Sequence, residues 1–380
     1  MDTSSSIHEV IATLLDLEHP FPTKYIYALS RLDPEDVQIL KAAWKTIPIV
    51  RRKALLEDMA EFAEDDYTLV FEPVGKIGLY DDEDDVIVRA IDLLFNSEDI
   101  KLAGKFISLL SLEEHGELVR AAAANALGPY VYYGELEELS EEVLTRVVSA
   151  LLVATRKDPS DLVQRRALEA LGYSSNEVVP ALIRQAADRG DLRWLESALF
   201  AMGRSATQEW KPYILENLTH DELSVQMQAV HAAGEVYLKE ARSTLVKIIK
   251  QPHQDEELRK EAIWALGQIG GKGTIDFLEE LLEKTDDDDE CELIEEAIDN
   301  ANMTNQISSL DLMKIELDED GEPIIPEFDE DQLEDDDVEE FEAAWREYID
   351  EDEDDEEDDD DDDSIEFDDP LEFGDEDDGF

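Results

Sequence analysis

One ten-residue frame, written repeatedly with different residues, constrains this chain more than any other feature. It is clearest in VQRRALEALG, Val163 to Gly172, where apolar or alanine residues stand nine, five, four, two and one places before the glycine. The frame recurs in VRAAAANALG ending at Gly128, WLESALFAMG at Gly203, VQMQAVHAAG at Gly234 and LRKEAIWALG at Gly267. All five carry Ala at minus five and minus two. One amphipathic helix repeated at near-fixed intervals describes an array in which each unit buries its apolar face on its neighbours.

Using alanine to set the register adds Met59, Phe95 and Asn302 as anchors, and the separations become 36, 33, 44, 31, 31, 33 and 35 residues. That choice imposes Ala at minus five in the added units, so minus nine is the independent check. Val50, Val86, Val119, Val163, Trp194, Val225, Leu258 and Leu293 stand there, all apolar. Each interval has room for one more helix, predicted at residues 100–110, 178–187, 241–249 and 275–282, with a long helix over 136–156 filling the widest interval. The glycine after each second helix suits a left-handed C-cap, and Asp161, Asp191, Asp221 and Asp255 suit N-caps. Upstream, residues 7–17 read as a leading helix, residues 25–32 come next, and Asp33-Pro34-Glu35 opens a further helix with Pro at its first position.

The helices and their spacing resemble the HEAT family, above all its short phycobilisome-lyase-type repeats, over about residues 33–302. The resemblance implies an all-α, right-handed alpha-solenoid of about eight HEAT-like helix pairs, which binds macromolecules along its concave face. The division it supports is capping helices at 1–32, the solenoid at 33–303 and an acidic, largely disordered tail at 304–380. HEAT-like hydroxylases hold iron with His-Glu pairs on several repeats; here His8-Glu9 alone has that dipeptide, outside the repeats.

Charge narrows the partners. The chain has 100 acidic and 32 basic residues among 380, a formal charge of -68. Residues 304–380 hold 40 acidic and 2 basic residues, which places -38 in the tail and -30 in the body. Nucleic-acid phosphates and anionic lipid surfaces are recognised by Lys and Arg clusters, so neither is expected as a direct partner. A basic protein or basic peptide segment fits. The single cysteine, Cys291, offers no intramolecular disulfide, and the N-terminus shows no signal-peptide pattern, which makes the cytoplasm the expected location.

Catalytic signatures are lacking, and no cofactor or metal is expected. Gly270-Gly271-Lys272-Gly273-Thr274 departs from a phosphate loop at Leu266 and Gly273 and reads as an inter-repeat turn. Glu316, Asp318, Asp320, Gly321 and Glu327 match an EF-hand loop incompletely, with Pro323 and Pro326 in its second half. The acidic runs 81–85 and 286–290 read as solvated loops. In the tail, Val338, Phe341, Trp345, Tyr348 and Ile349 recur at helical spacing, making 338–349 a short amphipathic recognition segment within otherwise charged sequence.

The face opposite the core positions is centred on minus three and minus seven, by 100 degrees per residue. Minus three reads Asn125, Glu169, Phe200, His231 and Trp264; minus seven reads Ala121, Arg165, Glu196, Met227 and Lys260. Phe200, Met227, His231 and Trp264 are therefore candidate partner-binding residues on a concave stripe. The expected function is a non-catalytic scaffold or chaperone-like adaptor for a basic partner. Two alternatives stay open: a lyase-type enzyme subunit holding a small molecule in the groove, and a nucleic-acid charge mimic acting through the tail.

Overall fold

A computed structural model describes residues 6–30, 32–97, 99–111, 114–251, 255–312, 316–317 and 323–324. In chain order the helices are α1 (Ile7–Leu15), α2 (Thr23–Leu29), α3 (Pro34–Ala43), α4 (Ile49–Asp65), α5 (Glu72–Gly78), α6 (Asp84–Leu93), α7 (Lys101–Ser111), α8 (Glu117–Ala126), α9 (Gly128–Glu135) and α10 (Glu141–Lys157). They continue as α11 (Asp161–Leu171), α12 (Val179–Ala187), α13 (Leu192–Arg204), α14 (Lys211–Asn217), α15 (Leu223–Glu235), α16 (Arg242–Lys250), α17 (Glu256–Ile269), α18 (Thr274–Lys284) and α19 (Asp288–Leu312). Beyond them, Glu316–Leu317 pairs antiparallel with Pro323–Ile324. The other residues of the EF-hand-like segment, and Phe341, Trp345 and Tyr348 of the recognition segment, lie outside the described residues.

The architecture is an all-α solenoid. The second helices form a continuous row, α4 on α6, α6 on α8, α8 on α11, α11 on α13, α13 on α15, α15 on α17 and α17 on α19, each backed by a first helix such as α12, α14, α16 or α18. The minus-nine and minus-five positions bury as expected in the middle of the array: Val86, Val119, Val163, Val225, Leu258 and the alanines at 90, 123, 167, 198, 229 and 262 are at most 1% exposed. The first unit departs from this register. Val50 is 64% exposed while Leu55, Leu56 and Met59 are buried, which moves the anchor one place along to Ala60 and puts Asp58 at minus two.

The repeated glycines are not left-handed caps, although Gly172 does stand at the C-cap of α11. Gly172 has φ -52°, Gly203, Gly234 and Gly267 lie inside their helices, and none of them has positive φ. They are contact points. A Cβ on Gly203 would stand 3.1 Å from Ala232 Cα, on Gly234 3.0 Å from Ala265 Cα, and on Gly267 2.7 Å from Ala297 Cα. Glycine of one unit thus meets the minus-two alanine of the next, letting neighbouring second helices pack backbone to backbone. The same contact makes Ala297 the minus-two residue of α19 and shifts that unit's anchor from Asn302 back one turn to Asp299.

Other local expectations divide. Asp33 caps α3 through Glu35 and Asp36 N–H, Asp191 caps α13, and Asp255 caps α17. Asp161 and Asp221 are not caps; Ser160 and Glu222 hold those positions, without side-chain cap bonds. The wide interval contains two helices, α9 and α10, where one was expected, because the chain breaks at Glu137 with φ 62°. Asp81, expected in solvent, is buried and accepts from Trp44 Nε1 at 2.7 Å and from Arg52. The turn from α17 to α18 does run through Gly270, Gly271 and Gly273, all at positive φ.

A tie not read from sequence recurs at minus eight. Arg120 donates to His115 O at 2.6 Å, Gln164 to Asp158 O at 2.7 Å, Gln226 to Leu218 O at 2.9 Å, and Arg259 to Ile249 O. Each reaches back to a carbonyl at or after the end of the first helix, where helix carbonyls lack intrahelical partners. Two also bridge units: Arg120 is bidentate to Asp158 at 2.9 and 3.0 Å, and Arg259 meets Glu290 at 2.9 Å.

Candidate interaction face

The minus-three residues of α13, α15 and α17 come together as one stack. Phe200 and His231 rings are 6.1 Å apart at 12°, and His231 and Trp264 are 4.8 Å apart at 11°. Equivalent positions on adjacent, similarly aligned helices bring the rings side by side, and their flat faces then meet. All three are half-buried, and Trp264 packs against the core edge. Met227 is half-buried as well and joins the core edge, outside the stack.

The stack continues through residues that the sequence frame did not select. Arg204 places its guanidinium carbon 4.1 Å from the Phe200 centroid and 4.8 Å from that of Tyr173. Tyr173 lies 5.2 Å from Tyr132, which meets Tyr133 at 5.5 Å. A ribbon of seven side chains, Tyr133, Tyr132, Tyr173, Arg204, Phe200, His231 and Trp264, therefore spans α9 to α17. Tyr173 and Arg204 follow the glycine by one residue, four places after minus three and so on the same helix face. That signal was available, but a helix taken to end at glycine hides it.

Carboxylates line this ribbon. His231 Nδ1 is 2.8 Å from Glu261 Oε1, and Nε2 is 3.8 Å from Glu235 Oε1. A carboxylate accepts, so the imidazole donates from Nδ1, which fixes the ring plane. Arg204 donates to Glu169 O at 3.1 Å. Burial holds the Arg204 guanidinium below its ordinary pKa, against the opposing pull of Tyr173, Glu169 and Glu235. Burial also pushes the Tyr173 phenol up.

Toward the N-terminus most of the same positions are closed, although Asn125 at minus three of α8 is half-buried. Ala121 is 5%, Arg165 9% and Glu169 3% exposed, so these members of the minus-three and minus-seven rows do not face solvent as expected. Arg166 pairs with Glu169, and Arg165 Nη1 reaches Ser197 Oγ at 3.3 Å. Long basic side chains bridge to neighbouring groups there and seal the face. The stacked rings of the minus-three row lie on α13, α15 and α17, with the tyrosines of α9 and Tyr173 at their N-terminal end.

No group of three potential metal ligands occurs among the described residues. A recess of about 720 Å³ lies between α10, α11, α12 and α13, lined by Gln164, Leu182, Gln185 and Trp194 among others and by none of the ribbon residues. No described helix is long and apolar enough to cross a membrane.

Comparison with known families agrees with this architecture: residues 212–299, from α14 into the first half of α19, match the family of HEAT repeats. Residues 212–299 carry HEAT repeats. Among solved structures, the complex of CpcE and CpcF of phycocyanin lyase from Nostoc sp. PCC7120 is similar at 19% identity over 60% of this chain and 94% of that one, with a TM-score of 0.40. Human deoxyhypusine hydroxylase is similar at 15% identity over 79% and 97%, TM-score 0.27. Importin beta is similar at 14% identity over 84% and 45%, TM-score 0.35. Likeness at this level transfers no activity to these HEAT repeats. No curated protein sequence matches the chain.

Proposed function

We propose that this protein is a binding scaffold that holds a basic peptide or basic protein segment along the ribbon from Tyr132 to Trp264. The observation that carries the reading is the half-buried stack of Phe200, His231 and Trp264 with Glu235 and Glu261 beside it. Aromatic faces and edges supply contact area at low entropic cost, and carboxylates next to them favour Lys and Arg over other side chains. The sequence adds long-range attraction, since the body carries -30 and residues 304–380 carry -38.

The test is selection of binders from a displayed library of random twelve-residue peptides with the full chain, followed by fluorescence anisotropy on the selected peptides. Enrichment in Arg and Lys is expected, together with at least tenfold weaker binding to Phe200→Ala, whose circular dichroism stays helical. Peptides that bind Phe200→Ala and His231→Ala as tightly as the parent chain would remove the ribbon as the site. If those same peptides lose binding when residues 304–380 are deleted, recognition belongs to the acidic segment.

A further inference from the structure

The ring stack of Phe200, His231 and Trp264 ends differently on its two sides. At the α11 side, the outer face of Phe200 is covered by the chain's own Arg204, which Tyr173 sandwiches from beyond. The scaffold thus already shows how it seats a guanidinium: flat against an aromatic ring, with the Glu169 carbonyl at 3.1 Å. At the α19 side, Trp264 receives His231 on one face.

Register identifies what lies beyond the other face. Gly267 meets Ala297 as Gly203 meets Ala232 and Gly234 meets Ala265. Ala297 is then minus two in α19, so the minus-three rung that follows Phe200, His231 and Trp264 is Glu296. Minus seven is Glu292, one turn away on the same face. Both are exposed. Where α13 is followed by rings, α17 is followed by two carboxylates. Lys260, the minus-seven residue of α17, is drawn to Glu256 at 2.5 Å and Glu257 at 3.8 Å, one turn toward the start of its own helix.

We propose that the α19-side face of Trp264, with Glu296 and Glu292 beyond it, seats an arginine or lysine side chain of the partner. It repeats with an external cation the arrangement that Arg204 makes internally on Phe200. An aromatic face supplies the quadrupole and the carboxylates the countercharge, and indole is the strongest of the three common rings for this contact. The inference rests on the proposed function and deepens it by assigning one partner side chain to one position.

The experiment uses the full chain labelled with 5-fluorotryptophan, whose five tryptophans give separable fluorine signals, with that of Trp264 assigned by its loss in Trp264→Phe. The probes are N-acetyl-arginine N-methylamide and its neutral citrulline isostere. Arginine should move the Trp264 signal saturably with a dissociation constant on the order of millimolar to tens of millimolar, and citrulline should not. Glu296→Gln should weaken the arginine response about threefold, and Glu296→Arg should move the signal with no probe added. An unmoved Trp264 signal, or an equal response to citrulline, overturns the seat. If that happens while selected basic peptides still depend on Phe200, the ribbon function stands and this assignment alone falls; if both responses are lost, the ribbon function falls too.

Discussion

The faces of α8 and α11 and of α13, α15 and α17 are written in one register and come out opposite. In the first, Ala121, Arg165 and Glu169 are at most 9% exposed, tied by pairs such as Arg166 with Glu169. In the second, Phe200, His231 and Trp264 stack but remain half-buried. Angular position on a helix is the same in both cases. What differs is reach: a guanidinium on a flexible stem bridges to a neighbouring helix and closes the gap, whereas flat rings cover one another and leave their edges in solvent. One part of the array thereby closes this face and the other leaves it partly open.

The largest expected effect is that of Asp158→Ala, which cuts the minus-eight tie between the α8 and α11 units in the half of the array whose face is sealed. Arg120 and Asp158 side chains are 11% and 8% exposed, so removing the carboxylate takes from a mostly buried guanidinium its bidentate partner, while the Asp84 charge still acts on it. A loss of about 2 to 4 kcal/mol is expected in urea denaturation, and a loss below 1 would show that these two units are held by packing alone. Next is Gly267→Ala, where the new Cβ meets the Ala297 backbone at 2.7 to 2.8 Å. It should cost about 1 to 3 kcal/mol and, by prying α17 from α19, disturb the environment of Trp264 in near-UV circular dichroism.

On the open side, Phe200→Ala should cost less, about 1 to 2 kcal/mol, because the ring is only half-buried and Arg204 retains Tyr173. Its larger effect falls on peptide binding. Equal losses of stability for Phe200→Ala and Asp158→Ala would show that the half-buried ring holds its units together as firmly as the buried ion pair does.

The smallest effect is electrostatic and belongs to the irregular first unit. Asp58 stands where most later units place alanine, and burial, followed by Glu61 and Glu57, raises its pKa against the pull of Arg51. A folded-state value above the unfolded one means that ionisation costs stability, fully so above the raised pKa and not at all once pH falls below the ordinary aspartate range. Asp58→Asn should therefore stabilise the chain at neutral pH by less than about 1 kcal/mol after solvent screening, with the gain vanishing near pH 3. Thermal melts at the two pH values check the sign.

Much of this was legible in the residues. Val119, Val163 and Val225 at minus nine and the alanines at minus five declared buried helix faces, and Asp33 and Asp191 declared helix starts, because these signals act within one or two turns. The glycines were misread since one residue type answers two needs, a left-handed cap and a close approach, and sequence alone does not separate them. That error hid Tyr173 and Arg204, which lie on the ribbon face one residue past the glycine. Tyr132 escaped for another reason: α9 was not anticipated, and its place beside Tyr173 follows from a chain break at Glu137.

By itself the sequence determined the helices, the spacing of the units and the uneven distribution of negative charge, since periodicity and composition are local properties of the chain. Tertiary structure decided which members of the minus-three row stay open, that glycine meets alanine in the next unit, and that Arg204 enters an aromatic stack. Those outcomes depend on pairs about 30 residues apart, such as Gly203 with Ala232 or His231 with Glu261, and on side-chain reach across helices. A periodic pattern specifies which face of a helix turns inward; whether the other face is sealed depends on what the neighbouring unit brings to it.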